Sequence, residues 1–99
     1  IHVQAGSLIL MGDTTDFGGN TAIDSGSTLQ LGNGGTSGNL NGDIANNGVL
    51  AFNRSDDGLI IDDVISGSGQ VLQNGGGTTT LTGNNTYSGG TKLNKGIIN

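Results

Sequence analysis

The stretch GSLIL (residues 6–10) returns as STLQL (27–31), GVLAF (48–52) and GQVLQ (69–73). The third positions of the four copies, Leu8, Leu29, Leu50 and Val71, stand twenty-one residues apart. A second column, Ile23, Ile44 and Ile65, keeps the same step, and Tyr87 follows Ile65 by twenty-two. GGTKL (89–93) stands where the next copy is due, and glycine marks the approach to each strand at Gly6, Gly26, Gly48, Gly69 and Gly90. Large apolar residues recur at alternate positions in Leu8/Leu10, Leu29/Leu31 and Leu50/Phe52, the period of a strand. No single repeat of this kind can bury its own apolar face, but stacked repeats share one interior.

Composition leaves little room for another architecture. The chain has 99 residues, enough for one domain at most. Its aromatics are only Phe17, Phe52 and Tyr87, and its 21 glycines leave no run of ten residues without one. An interior glycine costs a helix about 1 kcal/mol relative to alanine, which argues against any long helix. Disorder is opposed by the regular apolar alternation and by the absence of proline and glutamate. All eight acidic residues are aspartate, against Arg54, Lys92 and Lys95, for a formal charge of −5. An acidic chain without a basic stripe is a poor partner for nucleic acid or an anionic membrane. There is no cysteine, so no disulfide staples the fold. No signal-peptide pattern and no apolar run of about 18 residues is present.

The expected fold is therefore all-β, a solenoid of about four to five rungs of about 21 residues over 1–99. Successive rungs would hydrogen-bond about 4.8 Å apart. Leu8 would stack on Leu29, Leu50 and Val71, and Ile23 on Ile44 and Ile65. In LTGNNTYSGGT (81–91), Leu81 and Tyr87 would point inward. Gly83-Asn84-Asn85 and Ser88-Gly89-Gly90 would turn, and Thr91 would begin the next face. The alternative is a sandwich of hairpins turning at Asn33-Gly34, Asn41-Gly42, Asn47-Gly48 and Asn74-Gly75. Hairpins, however, do not require a rung-length repeat of interior residues. Both ends, IHVQAGS and KGIIN, fall in mid-pattern, which suggests a segment excised from something longer.

GNGGTSGNLNGDIANNGVLAFNRSDD (32–57), ISGSGQVLQNGGGTTTLTGNNTYSGGTKLNKG (65–96) and GSTLQLGNGG (26–35) resemble the autotransporter-associated β-strand repeats, also called passenger-associated transport repeats. TTTLTG (78–83), after three consecutive glycines, departs from the usual alternating Gly-Thr-Leu strand of that family. The resemblance implies a right-handed parallel β-helix in the passenger domain of a Gram-negative type V secretion protein, exported through periplasm and outer membrane to the cell surface. It implies a structural stalk that presents distal adhesin or virulence modules and promotes passenger folding and translocation. The implied partners are the rest of the passenger and its C-terminal β-barrel, with a host-cell surface or a second copy as further partners. An adhesive or self-associating face is the alternative, and a polysaccharide-active β-helix enzyme a third reading.

Residues with chemistry to offer are few. Asp56-Asp57 and Asp62-Asp63 are the acidic pairs, and could serve as acid and base or hold Ca²⁺. As turn residues flanking the apolar LII (59–61) they need neither role, and Arg54 would pair with Asp56 or Asp57 at little gain if exposed. GNGGTSGNLNGD (32–43) has the glycines of a Ca²⁺ roll but one acid, Asp43, and no nine-residue recurrence. Nor does it carry the Gly-Lys-Ser/Thr of a phosphate loop. His2 is the sole histidine, so a nucleophilic triad has no members. Asn53-Arg54-Ser55 and Asn84-Asn85-Thr86 match a glycosylation sequon that a bacterial exported chain has no need of. Tyr87 is expected in the core with its hydroxyl at a corner. No catalytic, cofactor-binding or metal-ligating residue is assigned, and no cofactor is expected.

Overall fold

The computed structural model describes residues 2–10, 13, 14, 20–35, 39, 40, 42–56, 58–61, 64–83, 85–94 and 96–98. Among them the chain runs through short strands separated by bends and turns, with no helix. The first turn of the coil contains β1 (His2–Val3), β2 (Ser7–Leu10) and β3 (Asp13–Thr14). The second contains β4 (Thr21–Ile23), β5 (Thr28–Leu31) and β6 (Asn39–Leu40). The third contains β7 (Ile44–Asn46), β8 (Val49–Phe52) and β9 (Leu59–Ile61), and the fourth β10 (Ile65–Ser66), β11 (Gln70–Gln73) and β12 (Thr78–Leu81). β13 (Thr91–Leu93) and β14 (Ile97–Ile98) belong to a fifth.

Every strand pairing is parallel and links one turn to the next. One face is the four-stranded sheet β1-β4-β7-β10, and the next is the five-stranded sheet β13-β11-β8-β5-β2. The third side carries the three-stranded sheet β14-β12-β9 and the pair β3-β6. This is a parallel β-helix. Parallel neighbours a full rung apart rule out the hairpin sandwich, whose sequential strands would run antiparallel.

The five-stranded sheet keeps the twenty-one-residue step. Leu8 lies opposite Leu29, Leu29 opposite Leu50, and Leu50 opposite Val71. On the four-stranded face the step differs from the expected one. Ile44 is opposite Ile65, as the column requires, but Ile23 is opposite Asn46, and Ile44 sits above Thr21. The cause is corner length. Residues 24–27 separate β4 from β5, whereas only Asn47 and Gly48 separate β7 from β8. The two residues saved at the later corner turn a step of twenty-three on one face into twenty-one on the next. Identical spacing in sequence therefore did not mean identical position in the coil.

Tyr87 is also displaced from its expected partner, here by a rung of twenty residues. Thr86 N donates to Ile65 O and Ser88 N to Gly67 O, which sets Tyr87 above Gly67, not above Ile65. The position beyond Ser66↔Ala45 aligns Gly67 with Asn46. The Tyr87 ring packs half-buried against the core and meets Thr91 Oγ1 through its hydroxyl. Leu81 also packs against the core, and Thr91 does begin a strand. Asn84 of this stretch lies outside the described residues.

The interior is one apolar cluster of Val3, Ile23, Leu29, Leu31, Ile44, Leu50, Phe52, Leu59, Ile61, Ile65 and Val71. Strand alternation is visible in β9, where Leu59 and Ile61 are buried while Ile60 is 54% exposed. Glycine permits the tightest approach between turns. A Cβ on Gly48 would run into the carbonyl oxygen of Ser27, one on Gly69 into that of Gly48, and one on Gly89 into that of Gly69. Four successive rungs are thereby held in contact at a corner where no other residue fits.

Candidate functional site: polar corners and open edges

Side-chain chemistry is concentrated where the strands turn. Gln73 continues the interior column of Leu10, Leu31 and Phe52, and is wholly buried. Its Nε2 donates to Gly77 O at 3.0 Å, and its Oε1 accepts from Thr79 Oγ1 at 2.9 Å. Thr79 is itself buried. An amide in an apolar interior is tolerable only when satisfied in this way. The step of 21 from Phe52 already placed a polar residue inside; its partner Thr79, on a different strand, left no signal in the sequence.

Arg54 closes the corner after β8. Its Nε donates to Asp56 Oδ1 at 2.9 Å and its NH2 nitrogen to Asp56 Oδ2 at 2.8 Å, a two-pronged pair. The pairing of Arg54 with Asp56 is as expected, and because the guanidinium is buried the pair is not a weak exposed contact. Hydrogen bonding from Arg54 holds the Asp56 carboxyl below the usual aspartate range; partial burial opposes this, and the Gly58 N–H and the Arg54 charge assist it. Asp56 is thus occupied in bracing a corner. Asp57, Asp62 and Asp63 lie outside the described residues.

Other corners use side-chain oxygens to receive backbone donors of a neighbouring rung. Asn20 Oδ1 accepts from Asp43 N, Asp43 Oδ1 from Val64 N at 3.0 Å, and Asn85 Oδ1 from Ile65 N at 2.8 Å. Asn47 Oδ1 accepts from Ser68 N, and Asn94 Nδ2 donates to Asn74 Oδ1. The Asn- and Asp-rich composition is explained by this use, since each short polar side chain spans one strand spacing. His2 is exposed and lies 2.9 Å from Asp24. Among the described residues no three His, Cys, Asp or Glu side chains gather to hold a metal ion.

The borders of the five-stranded sheet are open. Leu29, Leu50 and Val71 are fully buried inside their column, while Leu8 on the border strand β2 is 37% exposed. On the opposite border strand β13, Leu93 is 56% exposed. Leu8 ends the apolar column of Leu29, Leu50 and Val71, whereas Leu93 lies above Gln73 in the neighbouring column and Thr91 above Val71.

Such a molecule belongs to the class of parallel β-helices whose chemistry is used to join rung to rung. A family model described as the passenger-associated-transport-repeat matches residues 4–31 and 71–99, more than half of the chain, and the chain belongs to that family. Over 56 residues it is 48% identical to the Adhesin BmaC autotransporter of Brucella suis biovar 1 (strain 1330). That alignment covers 57% of this chain and 2% of the relative's length. No solved structure matches the chain.

Proposed function

We propose that the chain is a non-enzymatic β-helical stalk segment of an autotransporter passenger, exposed on the bacterial cell surface after export through periplasm and outer membrane. The observation that carries this reading is the rung-to-rung stack itself. The column Leu8-Leu29-Leu50-Val71 runs through four successive rungs, each paired in parallel with the next, with Leu29, Leu50 and Val71 fully buried.

Presentation of distal modules follows from geometry: a stack of rungs adds length at about 4.8 Å per turn without a new kind of contact. Promotion of translocation follows from locality. Each strand pairs with a strand about one rung away, so a rung can dock as soon as its chain emerges beside a finished one. Docking buries apolar residues outside the membrane and opposes return of the chain. The partners are the remaining passenger and its C-terminal β-barrel.

The test is replacement within the full-length parent protein. Exchanging this segment for an unrelated β-helix of equal rung number should preserve surface display and the activity of distal modules. Loss of adhesion with display intact would instead make the segment an adhesive surface.

A further inference from the structure

The sequence contains four Asn-Gly steps, and none of the three that lie wholly among the described residues turns a hairpin. These are Asn33-Gly34, Asn47-Gly48 and Asn74-Gly75; Asn41 of the fourth lies outside the described residues. Asn-Gly is also a reactive sequence. Glycine has no Cβ to obstruct its own backbone nitrogen, which can reach the preceding carboxamide carbon.

The three steps differ in how that nitrogen is held. Gly48 N donates to Asn46 Oδ1 at 3.1 Å inside a buried corner, and Gly48 O accepts from Gln70 N of the next rung. Gly75 N donates to Phe52 O at 3.1 Å, and the residue is buried against the Arg54 backbone. Gly48 is also packed against the Ser27 carbonyl, so turning its nitrogen disturbs contacts to the rungs on both sides, and freeing the Gly75 nitrogen breaks its bond to Phe52 O at a buried residue. Gly34 N donates to Asn53 O at 2.9 Å, but Asn33, Gly34 and Gly35 are all exposed. No atom lies within 4 Å of a Cβ built at Gly34 or Gly35. Opening there also breaks a bond between rungs, but at exposed residues with free space around them.

We infer that Asn33 is a site of spontaneous deamidation in the folded protein, while Asn47 and Asn74 are shut by the coil. The Gly34 nitrogen, losing its proton to solvent base, forms a bond to Asn33 Cγ. The Cγ–Nδ2 bond breaks and the nitrogen leaves as ammonia, giving a succinimide. Water then opens the ring at either carbonyl, yielding aspartate or isoaspartate. No oxidant or enzyme is required. The product adds a negative charge, and in its iso form an extra backbone carbon, to the loop that Asn53 and Ser55 hold through Gly34 N and Gly35 O.

The test holds the protein at mildly alkaline pH with and without concentrated urea, and separates asparagine, aspartate and isoaspartate peptides at each step by mass spectrometry. In urea the three steps should convert at comparable rates. Without urea, Asn33 should convert at least about tenfold faster than Asn47 and Asn74, because opening at an exposed loop is far more frequent than opening at a buried corner. Asn33→Gln should remove the product at that site alone. Conversion of Asn47 or Asn74 as fast as Asn33 without urea overturns the inference, as does an unreacted Asn33 once the urea sample is fully converted.

Discussion

Gln73 lies directly above Phe52 in the interior of the coil, one strand spacing away and equally sealed from solvent. An aromatic ring and an amide thus share one column, and the amide is kept there by Thr79 and the Gly77 carbonyl. Truncation to Gln73→Ala should cost about 2–4 kcal/mol, from the void and the stranded Thr79 hydroxyl. Thr79→Val alone should cost about 1–2 kcal/mol, and the pair Gln73→Ala with Thr79→Val less than the sum of the single changes. Urea unfolding of the four proteins measures the coupling; strict additivity would mean that the bond contributes nothing.

Position in the stack should set the cost of removing an interior leucine. Leu50 is fully buried between Leu29 and Val71, whereas Leu8 occupies the same column on an open border. Leu50→Ala is expected to lose about 2–5 kcal/mol, and Leu8→Ala distinctly less. Equal losses, read from urea midpoints, would contradict the assignment of β2 as a border strand.

Glycine positions separate into those that touch the rung below and those that do not. Gly48→Ala drives a methyl group into the Ser27 carbonyl and should destabilise by several kcal/mol or prevent folding. Gly76 is exposed, with nothing within 4 Å of a Cβ, and Gly76→Ala should stay within about 0.5 kcal/mol of the parent. Thermal melts of the two variants distinguish a stacking requirement from a general loss of flexibility.

The Arg54–Asp56 pair gives stability a dependence on acid. The folded-state pKa of Asp56 is lowered, so its contribution is present above the ordinary aspartate value and lost as pH falls through that value toward the folded one. Asp56→Asn should lower stability at neutral pH and leave the protein level with the parent in strong acid. Urea midpoints from pH 7 downward check this; a constant gap between the two proteins across the series would place the interaction elsewhere.

Much of this architecture was legible in the sequence because strands repeat where side chains repeat. Leu8, Leu29, Leu50 and Val71 kept their step through unbroken strands, so spacing translated directly into stacking. Ile23 and Ile44 had the same spacing but a four-residue corner at residues 24–27 against a two-residue corner at Asn47 and Gly48, and backbone geometry displaced them. Tyr87 was also misplaced, because the last rung steps by twenty residues and sets it opposite Gly67. The polar contacts were less readable. Arg54 and Asp56 are neighbours in sequence and could be paired on paper, but the burial of Arg54 depends on the fold around it. Thr79 reaches Gln73 across a corner, and no local pattern announces that.

Folding of the coil as the support of passenger export is tested most directly by surface arrival of the full-length parent carrying Leu50→Asp or Ile60→Asp. The first places a charge in the sealed interior, the second on an outward position of the neighbouring face that is already 54% exposed. With equal synthesis of both, protease accessibility on intact cells should fall sharply for Leu50→Asp and remain at the parent level for Ile60→Asp. Undiminished surface arrival of Leu50→Asp, in cells where circular dichroism of the isolated segment shows the coil to be lost, would contradict the account.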